Sequence, residues 1–148
     1  MAYAFGVGRE APLFTARTTD GDEIALARFR GDWFPVIVFL PAELHDADSR
    51  LLRLEAAAER FWGLRAQLLV VREASAGEPP QSAPPGVALP MITDDGTLAA
   101  SYGALLPDGR FRALTVIVDR AGKIVWTAED EAASDPDVIA VALREVAR

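Results

Sequence analysis

The apolar positions change period along the chain, and each change marks an element. Val36-Ile-Val-Phe-Leu40 is apolar without alternation, which predicts a strand buried on both faces of a helix-covered sheet. From Ser49 the period becomes 3.6: Leu51, Leu54, Ala58 and Phe61 share one face, Leu52 and Trp62 lie beside them, and Arg50, Arg53, Glu55, Glu59 and Arg60 take the wet side. Gly63 is the expected stop of that helix. Gln67-Leu-Leu-Val-Val71 is a second unbroken apolar run. Two such strands joined by a helix should be parallel, with a right-handed crossover.

On the N-terminal side, residues 1–11 read as an extended lead-in. Leu13–Thr18 and Glu23–Leu26 flank an Asp20-Gly21 turn and predict a β-hairpin. Ala27–Gly31 predicts one helical turn closed by its glycine. On the C-terminal side, residues 73–90 contain Pro79, Pro80, Pro84, Pro85 and Pro90, too many for a helix interior or a central strand, so a long surface loop is expected. Asp94-Asp95-Gly96 should cap a short helix, Thr97–Gly103, with Leu98 and Tyr102 on one face. After the Pro107-Asp108-Gly109 turn, Ala113–Val118 and Lys123–Thr127 make an antiparallel pair around Asp119–Gly122. Ser134-Asp135-Pro136 starts a last helix, whose apolar face is Val138, Ile139, Ala142, Leu143 and Val146. The order is β-hairpin, β, α, β, loop, α, β, β, α. A parallel βαβ half followed by an antiparallel ββα half is the thioredoxin-like arrangement: an α/β fold with a central mixed sheet flanked by helices, here with an added N-terminal hairpin.

Composition narrows the function classes. A chain of 148 residues is expected to form a single domain, 1–148, able to bury roughly 70% of its unfolded surface without staples. The net charge of −7 argues against nucleic acid or an anionic membrane as the partner. No apolar run reaches membrane-spanning length, and Arg9 and Glu10 interrupt the stretch a signal peptide would need, so a cytoplasmic location is expected. The cysteine count is zero, which excludes disulfides, a thiolate nucleophile and thiolate metal ligands. A single histidine excludes zinc sites built on two or more.

Several short segments carry a family resemblance in order. Gly8-Arg-Glu-Ala-Pro12-Leu-Phe14, Thr19-Asp-Gly21, Phe29-Arg-Gly31, Val36–Pro41, Thr93-Asp-Asp-Gly96 with Tyr102-Gly103, and Val116-Ile-Val-Asp119-Arg-Ala-Gly122-Lys-Ile together resemble the alkyl hydroperoxide reductase/thiol-specific antioxidant group of peroxiredoxin-like proteins, from about Gly8 to Trp126. The resemblance implies a peroxiredoxin-type thioredoxin-like fold and a homodimer. It also implies an active site made of a proline, a threonine or serine four residues later, a peroxidatic cysteine three residues after that, and an arginine near a later strand. In that site a helix N-terminus and the arginine lower the thiol pKa, and the thiolate attacks the peroxide O–O bond. Here Pro41 matches, His45 stands at the hydroxyl position and Asp48 at the cysteine position. The matching arginine position is Ala113, and Arg112 lies one residue early. A carboxylate cannot pass through sulfenic acid.

Asp48 therefore reads first as a helix-terminal acid suited to capping and to the helix dipole. A second reading has it keep a negative charge for a cation or a partner's basic group. His45 with Glu43, Asp46 and Asp48 offers a one-histidine carboxylate cluster, the basis of an alternative antioxidant oxidoreductase-type, metal-assisted or acid–base enzyme. Arg110 and Arg112 either line a solvated edge or hold an anion in the vestigial pocket. Trp33, Phe34 and Trp126 suggest core packing or a dimer surface. The expectation is a degenerate member of the group, with no thiol peroxidase activity and no cofactor. It would act as a binding or regulatory module toward an unidentified protein or small molecule.

Overall fold

A computed structural model describes residues 6–42, 44, 46–74 and 85–147. Strands β1 (Thr15–Arg17) and β2 (Glu23–Ala25) pair antiparallel as the expected hairpin, Ala16 opposite Ile24. A 3-10 turn, Leu26–Phe29, follows, and Gly31 takes φ +95°, where only glycine is at ease. Strand β3 (Phe34–Leu40) comes next, with all seven residues buried. Helix α1 (Ala47–Gly63) leads to β4 (Ala66–Glu73), and then β5 (Met91–Asp94), α2 (Thr97–Ser101), β6 (Leu114–Val118), β7 (Ile124–Glu129) and α3 (Pro136–Val146) complete the order.

The main sheet runs β5-β4-β3-β6-β7. β3 pairs parallel with β4, Val36 opposite Leu68, and β4 parallel with β5; β3–β6 and β6–β7 are antiparallel. α1 and α3 cover one face, over Val36, Val38, Leu40, Leu68, Val70 and Ile117. The hairpin and α2 cover the other, over Ile37, Phe39, Leu69, Val71, Leu114 and Val116. Alternate residues of the same strands thus feed two cores, which is why these strands read as continuous apolar runs.

Several expectations shift. Strand β5 was absent from the predicted order, because four residues after Pro90 give too short a run to separate from the proline-rich loop. Of that predicted loop, residues 75–84 lie outside the described residues. α1 starts at Ala47 rather than Ser49 and ends at Gly63 as expected, and the left-handed residue beyond it is Arg65 (φ +61°). On α1 the buried stripe is Leu51, Leu54, Ala57 and Phe61, while Leu52 and Trp62 stay 45% and 60% exposed. A 3-10 turn over Asp130–Ser134, which was not expected, precedes α3, and Asp135 caps α3 by accepting the Asp137 N–H at 2.9 Å, with Pro136 in the first turn. On α3, Ala140 is buried and Val138 is 38% exposed, so the apolar face is rotated from the expected one.

The acids before α2 are its cap. The buried Asp94 carboxylate accepts the Leu98 and Ala99 N–H groups at 3.1 and 2.9 Å, and Asp95 accepts Thr97 N–H and its hydroxyl at 3.0 and 2.8 Å. These bonds hold the exposed Asp95 carboxyl below its usual range. One turn further, the Tyr102 hydroxyl donates to the Pro12 carbonyl at 2.6 Å, and its ring packs on Phe14 and Phe39. Burial raises the phenol pKa, so the donor stays protonated.

Asp94→Ala removes the acceptor of two buried donors and should destabilise the fold by about 1–3 kcal/mol, seen as a lower urea midpoint with unchanged slope. Tyr102→Phe keeps the ring and orphans the Pro12 carbonyl. It should cost about 1–2 kcal/mol, a fall of roughly 2–6 °C in Tm by calorimetry, and no change in Tm would contradict this role for the bond.

Candidate functional site

The loop from β3 into α1 leaves the carboxyl end of the central strand, where an α/β sheet places its ligands. Pro41, half-buried, follows β3 directly and ends the run. The next residue is anchored: Ala42 N–H donates to Glu73 Oε1 at 3.0 Å. The same oxygen accepts the Phe111 N–H at 3.2 Å. Glu73, the last residue of β4, thus ties together the ends of β3 and β4 and the approach to β6. Leu44 then packs its side chain against the α1-side core.

Asp46 occupies the N-cap position of α1, but its side chain does not cap the helix. Both its oxygens lie 3.1 Å from Arg50 Nε. Arg50 Nη1 reaches across to Ser134 Oγ at 2.9 Å, and Ser134 is buried. Arg50 was expected on the wet side, yet its side chain is only 12% exposed. It joins the start of α1 to the turn before α3, which the Thr115 hydroxyl also holds by donating to the Ala133 carbonyl.

Asp48 is the second residue of α1 and is exposed. Its charge suits the positive end of the helix, but Asp46, two residues earlier, holds the cap position. The expected capping role of Asp48 is corrected to a first-turn charge. His45 and Glu43 lie outside the described residues. Among the described residues, no group of three His, Asp or Glu side chains is gathered as a ligand set.

The two arginines are engaged elsewhere. Arg112 Nη2 donates to Glu129 Oε2. Glu129 stands opposite Leu114 in the β6–β7 register, and cross-strand partners share a face. Leu114 belongs to the core away from α1, so the Arg112 ion pair lies on the face opposite the helix. Ala113, at the position matching the family's arginine, is a buried methyl group whose carbonyl accepts the Asp130 N–H at 3.0 Å. Arg110 closes its own turn on Asp108 at 2.8 Å, and those bonds hold the Asp108 carboxyl below its usual range.

The structure therefore brings Pro41, Asp46, Asp48 and Arg50 to the start of α1, and ties Arg110 to Asp108 and Arg112 to Glu129. Glu73 and Ser134 join it, and neither was singled out from sequence. The only early hint of Glu73 was a carboxylate ending an apolar parallel strand, level with Pro41. Trp33 is half-buried and stacks edge-on against Trp62 at 5.8 Å, Phe34 is buried in the core, and Trp126 is half-buried.

Comparison with solved structures supports the same architecture. A 2-Cys peroxiredoxin from Plasmodium vivax superposes with a TM-score of 0.80 at 20% identity, over 95% of each chain. Peroxiredoxin Q from Xanthomonas campestris gives 0.78 at 18%, over 96% of this chain and 99% of that one. Peroxidoxin BcpB from Mycobacterium tuberculosis gives 0.76 at 19%, over 96% and 97%. Identities this low show the fold, which is the thioredoxin-like, peroxiredoxin-type one. No curated protein matches the chain by sequence. The AhpC/TSA family model matches residues 7–127, most of the chain including the whole of the β3–α1 unit, and the chain therefore belongs to the AhpC/TSA family as a member without cysteine.

Proposed function

We propose that this protein is an AhpC/TSA domain without thiol peroxidase activity that serves as a binding or regulatory module. The carrying observation is Asp48, an exposed carboxylate on the first turn of α1 where the family pattern has its cysteine. Peroxide reduction by this family's route forms a sulfur–oxygen bond on a thiolate, and no residue of the chain can form one by that route. The Arg112–Glu129 ion pair, at a position where the family pattern has no arginine, supports the same reading. The retained packing around α1 supports a role for the scaffold itself. A homodimer, carried over from the family resemblance, is part of the proposal, and so is a cytoplasmic location. No helix among the described residues is long and apolar enough to cross a membrane.

The alternative keeps an enzyme, with His45 and its neighbouring carboxylates binding a metal or moving protons. Asp46 bears on it, since that carboxylate is already shared with Arg50.

The purified chain with a dithiol reductant is expected to consume no hydroperoxide, before or after chelation. Consumption that stops on chelation would move the assignment to the His45 cluster. Consumption that survives it would overturn the proposal. Asp48→Cys puts a thiol on the exposed first turn, where the dipole lowers its pKa. It should alkylate readily, while its peroxide rate stays within about tenfold of a free thiol of equal pKa. Peroxidase turnover by that single variant would show that the rest of the pocket is intact.

A further inference from the structure

Away from the α1 N-terminus, α1 and the segment entering β5 enclose a groove of about 450 Å³, within the range of small-molecule sites. Along α1, Ala58 and Glu59 lie three and four residues after Glu55, and Trp62 lies four and three after them, so the four line one stripe facing it. Leu89 and Pro90 form the opposite wall.

Three observations give the groove a chemical character. Trp62 is 60% exposed yet held in place: its indole N–H donates to Gln67 Oε1 at 3.1 Å, and its ring meets Trp33 edge-on with centroids 5.8 Å apart. An exposed, preorganised indole face attracts cations. Glu55 uses Oε1 to accept both the Ala88 and Leu89 N–H groups, at 2.6 and 3.1 Å, which leaves Oε2 for another donor. Glu59 is exposed, and no hydrogen bond or ion pair among the described residues engages it. Two carboxylates four residues apart on a helix repel, and among the described residues no lysine or arginine lines the groove to offset them.

We propose that this groove binds a small organic cation, an alkylammonium compound, with its alkyl stem against Trp62, Ala58 and Leu89 and its charge on Glu59 and Glu55 Oε2. The apolar wall takes the methylenes, and the indole face and carboxylates take the charge. The site is separate from Asp48, so its test stands or falls independently of the missing thiol chemistry.

The probe is 1,5-diaminopentane, titrated into the full chain at constant ionic strength while the Trp62 indole N–H resonance is followed by NMR. A saturable shift is expected, with none from 1,5-pentanediol, which has the same stem without charge. Glu59→Gln should weaken the diamine about two- to fivefold, while Glu145→Gln, the same charge change on an exposed residue of α3, should leave it unchanged. A shift that never saturates, or equal weakening by both variants, would overturn the proposal as general electrostatics. Tighter binding by acetyl-lysine N-methylamide than by the diamine would overturn the small-molecule assignment in favour of a protein partner's lysine.

Discussion

Burial of β3 on both faces and both edges is the constraint from which the other elements follow. All seven residues from Phe34 to Leu40 are buried, and β4 and β6 take up their backbone hydrogen bonds on either side. A strand so placed needs helices or hairpins above and below it, and its side chains divide between them: Val36, Val38 and Leu40 toward α1 and α3, Ile37 and Phe39 toward the hairpin and α2. Because β4 lies parallel beside β3, their carboxyl ends emerge together. That meeting point is where Pro41 begins the loop and where Glu73 can reach Ala42.

The same geometry holds a catalytic site in thiol-bearing relatives, and here it carries a set of structural bonds. Glu73 binds two backbone N–H groups from separate segments. Arg50 bridges Asp46 and Ser134, and Arg112 bridges to Glu129. Among the described residues, Asp46, Arg50, Glu73 and Arg112, each partly withdrawn from water, all have partners, as burial of charge demands. Asp48 remains outward, stabilised by the helix terminus and by solvent. Asp48 stands where the family pattern has its cysteine, and the neighbouring charges hold the surrounding chain together. The groove beside Trp62 differs in kind: its aromatic wall is fixed, while among the described residues Glu59 has no partner, and the proposed ligand rests on that imbalance.

Much of the fold was legible because its signals are local or periodic. The two apolar runs, the 3.6 spacing of α1, the Asp20-Gly21 turn and the Pro136 helix start each needed only a few residues of context. β5 was not legible, because Met91–Asp94 becomes a strand through pairing with Val70–Glu73, which no short window contains. Arg50 looked like a wet-side residue because helix periodicity places its Cβ but not the reach of its guanidinium, and Ser134 lies 84 residues away in sequence. Leu52 and Trp62, read as lying beside the apolar face, stay exposed because they flank the buried stripe and the available neighbours cover only its centre.

The sequence by itself determined the fold class and the absence of thiol chemistry. Apolar periodicity specifies which elements form, and a missing sulfur atom cannot be supplied by any arrangement of the other side chains. The tertiary structure decided which charges meet. Arg112 lies one residue before the position where the family pattern has its arginine, side chains along a strand alternate between faces, and the β6–β7 register sets Arg112 beside Glu129 on the side of Leu114. A one-residue offset in sequence thus becomes the thickness of a sheet in space.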